Sequence, residues 1–144
     1  YLPLKHQTPL PGGLAGKQLI FIDIFPLPEQ LKKLDTRATE IIATATHITA
    51  RKAVMELPTH RFSLHHSGAV LAWQYFHPKK PVPRLLRHIE DVDLWCFTLP
   101  RTKEIAAALE LEPFSLTRWN TLVRDFEYPD RRARYIEKGR GILN

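Results

Sequence analysis

The chain has 144 residues and a mass of 16.7 kDa, with 44% hydrophobic and 25% charged residues. This is the size and balance of one folded domain, and it excludes a disordered chain, a collagen and a coiled coil. Lys and Arg number 21 against 15 Asp and Glu, a net charge of +6 with an isoelectric point near 9.7. Such an excess favours nucleic acid, anionic membrane surfaces or acidic partners, and it also suits the mitochondrial matrix. No apolar run approaches the roughly 18–20 residues that span a bilayer. The one cysteine, Cys96, excludes an internal disulfide and a multi-cysteine zinc site. The chain starts at Tyr1 with no visible targeting segment, so the expectation is a processed product or the ordered part of something longer.

Residues 1–16 hold Pro3, Pro9, Pro11, Gly12, Gly13 and Gly16 and read as an extended arm. Gln18–Ile24 is short, apolar and β-branched, the pattern of a parallel strand buried on both faces. Pro26 and Pro28 stop it, and Pro28 opens a helix predicted through about Ala38 with Leu31 and Leu34 inward. Glu40–Thr46 repeats the strand pattern, so strand, helix and strand make a βαβ unit. A helix follows from about Thr49 to Leu57, closed by Pro58, and Arg61–Leu64 reads as a short edge strand.

From Ser67 onward the pattern is helical. Ser67 is placed to cap Gly68–Phe76, which is apolar nearly all round and reads as a buried helix. Trp73, Tyr75 and Phe76 are assigned to its core rather than to a platform for nucleobases. Pro78, Pro81 and Pro83 form a rigid loop before a helix marked by Leu85, Leu86, Ile89 and Val92. Thr102–Leu111 is a short alanine-rich helix. Ser115 caps a helix with Leu116, Trp119, Leu122, Val123 and Phe126 inward. The last helix, Asp130 to about Lys138, is basic, and Gly139 and Gly141 are expected to fray it. The expected fold class is α/β: parallel-sheet βα units over residues 17–66, then a helical part over 67–144, in a single domain over 1–144.

Three stretches in order then carry a resemblance. They are Ser67-Gly-Ala-Val-Leu-Ala-Trp-Gln-Tyr-Phe76, Pro83-Arg-Leu-Leu-Arg-His-Ile-Glu-Asp-Val-Asp-Leu-Trp95 and Leu99-Pro-Arg-Thr-Lys-Glu-Ile105. Together they resemble the DHH phosphoesterase superfamily, in the branch of oligoribonucleases and cyclic-nucleotide phosphodiesterases. The likeness runs from near Tyr1 to Leu143. It implies a site in which aspartates and histidines from strand ends hold two manganese ions that activate a water against a phosphodiester. Carried over by residue, Asp23 matches the family's second-strand aspartate and Asp91 its late aspartate. His47 with Thr49 and Ala50 matches the naming motif, but Ala45 replaces its aspartate and Thr46 its first histidine. A methyl group cannot coordinate a cation, and Asp23, His47 and Asp91 are too few for two octahedral ions. The resemblance also places a first strand ahead of Tyr1 and a substrate-gripping second domain after Leu143, both outside this chain. The expectation is a partial, degenerate DHH-type domain with no catalytic residue and no cofactor, in which Asp23, His47 and Asp91 are vestigial positions for manganese.

The remaining features are read on their own chemistry. His60, His65 and His66 fit no strong zinc spacing. Asp91 and Asp93 are expected to bond backbone, Arg84 or Arg87. Cys96, between Trp95 and Phe97, reads as a buried small hydrophobe. There is no Ser-His-Asp order, phosphate-binding loop or dinucleotide glycine fingerprint. Arg131, Arg132, Arg134, Lys138 and Arg140 form the one dense basic patch, read first as a solvated helix face and second as a contact for RNA or a protein partner.

The expected function is that of a catalytically inactive structural or accessory subunit in a large organellar assembly, on the matrix side of the mitochondrion. In a mitochondrial ribosome the basic helix would meet ribosomal RNA. In a respiratory or ATP synthase complex the neighbours would be protein subunits. Two alternatives stay open: a metal-dependent phosphodiesterase for short oligonucleotides or cyclic nucleotides, and a free RNA-binding module.

Overall fold

A computed structural model of the chain describes residues 9–23, 28–35, 40–45, 51–56 and 59–144. Its contacts divide the chain into two compact units, Tyr1–Phe76 and His77–Asn144. The first unit is mixed α/β and the second is helical.

The first unit runs β1 (Gln18–Ile22), α1 (Pro28–Asp35), β2 (Glu40–Ala45), α2 (Arg51–Met55), β3 (Thr59–Phe62) and α3 (Gly68–Phe76). The three strands form a parallel sheet in the order β1-β2-β3. Ile20 lies opposite Ile42, and Ala45 opposite Phe62. Strands alternating with short helices produce this order, because a parallel neighbour needs a crossover segment. β1 is shorter than expected. It ends at Ile22 because Asp23 takes a left-handed backbone angle, φ 62°, which breaks the extended run. Ile24, Thr46 and His47 lie outside the described residues, as do Ala38, Thr49, Leu57 and Pro58.

Burial on both faces of β1 is not what the structure shows. Phe21 is buried, while Ile20 and Ile22 are 40% and 47% exposed. β1 sits at the sheet edge, and among the described residues only its Phe21 face is covered, so the strand alternates. Leu34 of α1 is buried as expected; the side chain of Leu31 is not described.

Ser67 caps α3. Its Oγ accepts the Val70 N–H at 3.2 Å and its carbonyl accepts the Leu71 N–H at 3.0 Å. α3 packs on all three strands, so it belongs to the sheet unit rather than to the helical part. Val70, Leu71 and Ala72 are buried, but Trp73 and Tyr75 are half-buried and Phe76 is exposed. The expectation of a helix buried all round therefore fails toward its C-terminus. Arg61 lies over the Tyr75 ring at 6.0 Å, which gives that ring a polar neighbour rather than a core one.

The second unit is α4 (Arg84–Asp93), α5 (Thr102–Glu110), α6 (Leu116–Phe126) and α7 (Pro129–Leu143). Leu85, Ile105, Leu122 and Phe126 are fully buried together, with Ile89, Leu109, Trp119, Val123, Tyr135 and Ile136 packed around them. Leu116, expected inward, is exposed, because it is the first residue of α6 and lies before the face that meets α4. Ser115 does cap α6, accepting the Arg118 N–H on Oγ at 3.3 Å. The first turn of α4 has no side-chain cap of its own; Glu127 supplies one, accepting the Arg84 N–H at 2.8 Å.

α7 continues five residues beyond Lys138, so its glycines do not fray it. Gly139 is buried where α7 crosses α5, and a Cβ there would lie 1.7 Å from the Glu104 carbonyl oxygen. Hydrogen alone fits at that crossing. Gly141 faces open space. Gly139→Ala should destabilise the chain by about 2–3 kcal/mol, since the obstacle is rigid backbone. Gly141→Ala should stabilise it by about 0.5–1 kcal/mol through helix propensity alone. Chemical denaturation of the two variants checks both signs.

Candidate functional site

Asp91, near the end of α4, gathers an unusual set of bonds. Its Oδ1 accepts the Thr98 N–H at 2.8 Å and the Thr98 hydroxyl at 2.9 Å. Its Oδ2 accepts the Leu99 N–H at 3.0 Å and the Thr102 hydroxyl at 2.7 Å. Its carbonyl accepts the Cys96 and Phe97 N–H groups at 3.0 and 3.3 Å. One residue thus anchors the whole loop from α4 into the first turn of α5. The partners are backbone and hydroxyls, not Arg84 or Arg87. Burial alone would raise the carboxyl pKa; the hydrogen bonds from Thr102, Thr98 and Leu99 outweigh it and hold the pKa down at about 2.

His88, one turn earlier, completes a chain. Thr102 has one hydroxyl proton, and its bond to Asp91 uses it, so the 2.9 Å contact to His88 is donated by Nδ1–H. Burial pushes the His88 pKa below its usual 6.5; Asp91 opposes this, while Arg132 and Arg84 add to it. The imidazole is therefore neutral at physiological pH, with its lone pair on Nε2.

The positions carried over from the resemblance fall in both units, and among the described residues no group of three His, Cys, Asp or Glu side chains is placed to hold a metal ion. Asp23 stands at the carboxyl end of β1, against Gly68 at the start of α3. Ala45 closes β2, the neighbouring strand. Asp91 belongs to the other unit and offers two oxygens that already accept four hydrogen bonds. His47 lies outside the described residues. A manganese ligand must have carboxylate lone pairs to give, and at Asp91 they are taken by these hydrogen bonds. His60, His65 and His66 likewise join no group of three ligand-type side chains among the described residues.

The basic patch of α7 is largely engaged within the chain. Arg131 pairs with Asp125 at 3.0 Å and lies over the Tyr128 ring at 4.8 Å. Arg132 donates to the Phe126 carbonyl at 2.6 Å. Lys138 pairs with Glu112 at 2.9 Å and Arg140 with Glu137 at 2.6 Å. Arg134 is the member that projects into solvent without such a bond among the described residues. Glu112, which the sequence reading passed over, is a hub: it also accepts the Arg118 Nε–H at 2.6 Å. Arg118 continues to the Tyr135 hydroxyl, which donates to Asp125. The hydrogen bond from Arg118, and then that from Lys138, holds the Glu112 carboxyl below its usual range against the effect of burial.

Two further features of the helical unit escape sequence reasoning. A pocket of about 340 Å³ opens between α4, α5 and the start of α6, walled by His88, Ile89, Val92, Ala106, Leu109 and Trp119. The Trp119 indole N–H is buried without a hydrogen-bond partner among the described residues. Beside this pocket the loop Trp95–Phe97 turns outward. Trp95 and Phe97 both take left-handed angles, φ 54° and 49°, and Trp95 is 82% exposed. Cys96, expected buried, is exposed, because the bonds of its N–H to Asp91 hold the turn at the surface.

No family model matches the chain, and no solved structure matches it. The chain is similar to an uncharacterised protein of Acanthamoeba polyphaga mimivirus, 28% identical over 134 residues. That match takes in 87% of this chain and 32% of the viral protein, so the chain spans about a third of its relative. Among the described residues no helix is long and apolar enough to cross a membrane.

The bonds at Asp91 and His88 set a pH dependence. A carboxylate with a depressed pKa contributes stability that is present above its unfolded value, 3.8, and lost as pH falls through about 2. A histidine with a lowered pKa contributes stability present above 6.5 and lost as pH falls toward its folded value. Acid titration of the unfolding free energy should show both stages. His88→Gln should flatten the histidine stage and Asp91→Asn reduce the more acidic carboxylate stage, and Asp91→Ala should cost about 3 kcal/mol at neutral pH.

Proposed function

We propose that the chain is a non-catalytic DHH-type module that works as a structural subunit of a larger assembly, on the matrix side of the mitochondrion. The observation that carries this reading is the end of β2. In parallel α/β sheets, ligand sites gather at the carboxyl ends of the strands. β1 ends there with Asp23 next in sequence, while β2, the central strand, ends in Ala45. Alanine at the position where the resembled family carries an aspartate removes both a ligand and a negative charge. The saturated carboxylate of Asp91 supports the same reading, since a ligand must have lone pairs to give.

Protein neighbours fit better than RNA. Four of the five basic side chains of α7 are tied to acceptors of their own chain, which leaves Arg134 to meet a phosphate.

Calorimetry with manganese is the direct test of the site. The expected result is no binding at millimolar metal by the native chain, with weak binding restored by Ala45→Asp combined with Thr46→His. Binding by the native chain, with hydrolysis of a short oligonucleotide, would establish the phosphodiesterase instead. Size fractionation of a gentle lysate tests the assembly. Co-migration with a large protein complex is expected; migration as a small free species would overturn the subunit role, and co-migration with ribosomal RNA would favour the ribosomal alternative.

A further inference from the structure

The helical unit carries a protruding aromatic side chain, Trp95, close in sequence to Val92 and Asp93 in the wall of an aromatic-sized hole. Trp95 lies one helical turn beyond Val92, which walls the pocket, and its N–H donates to the Val92 carbonyl at 2.9 Å. The loop that displays it is rigid, because Asp91 holds every backbone N–H from Cys96 to Leu99. A pre-set side chain loses little conformational freedom on docking, which is the condition under which an exposed Trp becomes a binding anchor. Backbone strain at both Trp95 and Phe97 is stored to keep it in place.

We propose that this face is a two-fold self-association surface. Trp95 of each copy enters the Ile89–Val92–Leu109–Trp119 pocket of the other. The proposal stands apart from the reading of β2 above, since it uses only the helical unit.

Three observations favour a second copy as the occupant. The first is charge. The pocket rim carries the carboxylates of Asp93 and Glu110, while Lys103 sits over the Phe97 ring at 5.3 Å, beside the protruding indole. A two-fold exchange brings the cation of one copy toward the carboxylates of the other. The second is the orphaned Trp119 N–H. A buried donor without a partner costs free energy, and the Trp119 ring that carries it walls the pocket that an incoming Trp95 would enter. The third is area. Each indole removes roughly 150–250 Å² from water and the pocket wall a similar amount, so two contacts give on the order of 600–1,000 Å². Leu111 and Phe114, exposed after α5, and Leu116, exposed at the start of α6, extend this toward the roughly 1,200 Å² of a stable interface. In the proposed pair both contacts form about one two-fold axis, so the assembly closes as a dimer and leaves no open chain.

Sedimentation of the whole chain at micromolar to hundred-micromolar concentration tests this. A dimer is expected. Trp95→Ala, at an exposed position, and Ala106→Phe, which fills the hole, should each weaken it by about 100-fold or more while circular dichroism shows the fold retained. Mixing the two variants should recover association, since one intact Trp95 then meets one intact pocket. A monomer throughout, a dimer that both variants leave unchanged, folded variants that fail to complement, or a polymer that grows with concentration would each overturn the proposal.

Discussion

The helical unit depends on one buried carboxylate. Asp91 accepts bonds from hydroxyls and backbone N–H groups spread over Cys96 to Thr102, and so converts eight residues of irregular chain into a fixed bridge between α4 and α5. Irregular backbone beside a core is costly unless its donors are satisfied. With them satisfied, bulky residues can be held in the left-handed region at Trp95, Phe97 and Arg101, and α5 can start without a side-chain cap. The same bonds orient Thr102, which orients His88, which lines the pocket. Position of the loop, tautomer of the histidine and display of Trp95 are consequences of a single acceptor.

A second polar arrangement ties the last helix down. Lys138, Glu112, Arg118, Tyr135, Asp125 and Arg131 form a continuous chain of bonds around the crossing of α6 and α7. This explains why a strongly basic helix need not be a nucleic-acid surface. Its cations neutralise partly buried carboxylates of Glu112 and Asp125, which would otherwise carry a large desolvation cost. The same helix packs on α5, and at Gly139 the two backbones approach so closely that no side chain fits between them. The net positive charge of the chain is thus in part an internal structural device.

The element order was readable from the sequence because its signals are local. Proline and glycine punctuation, β-branched runs at Gln18 and Glu40, and serines ahead of apolar periods at Ser67 and Ser115 each act within a few residues. The aspartates were also visible, since Asp91 sits in a distinctive Glu-Asp-Val-Asp run. What it bonds to was not visible beyond the expectation of backbone. Its partners lie seven to eleven residues away across a turn whose strained angles have no glycine to announce them. Glu112 was missed for a similar reason: it sits in a loop, and its partners Arg118 and Lys138 are supplied by two different helices.

Composition and spacing alone pointed to parallel βα segments followed by helices, and to a chain with one cysteine. These are properties of nearest neighbours and of residue identity. Exposure was decided only in three dimensions. Ile20, Phe76, Cys96 and Leu116 are apolar by sequence and exposed in the fold, because burial depends on which element arrives from elsewhere to cover a face. The pocket at Trp119, the protruding Trp95 and the glycine crossing at Gly139 have the same origin. Each is made by two or three segments distant in sequence, and no periodicity within one segment encodes the space between them.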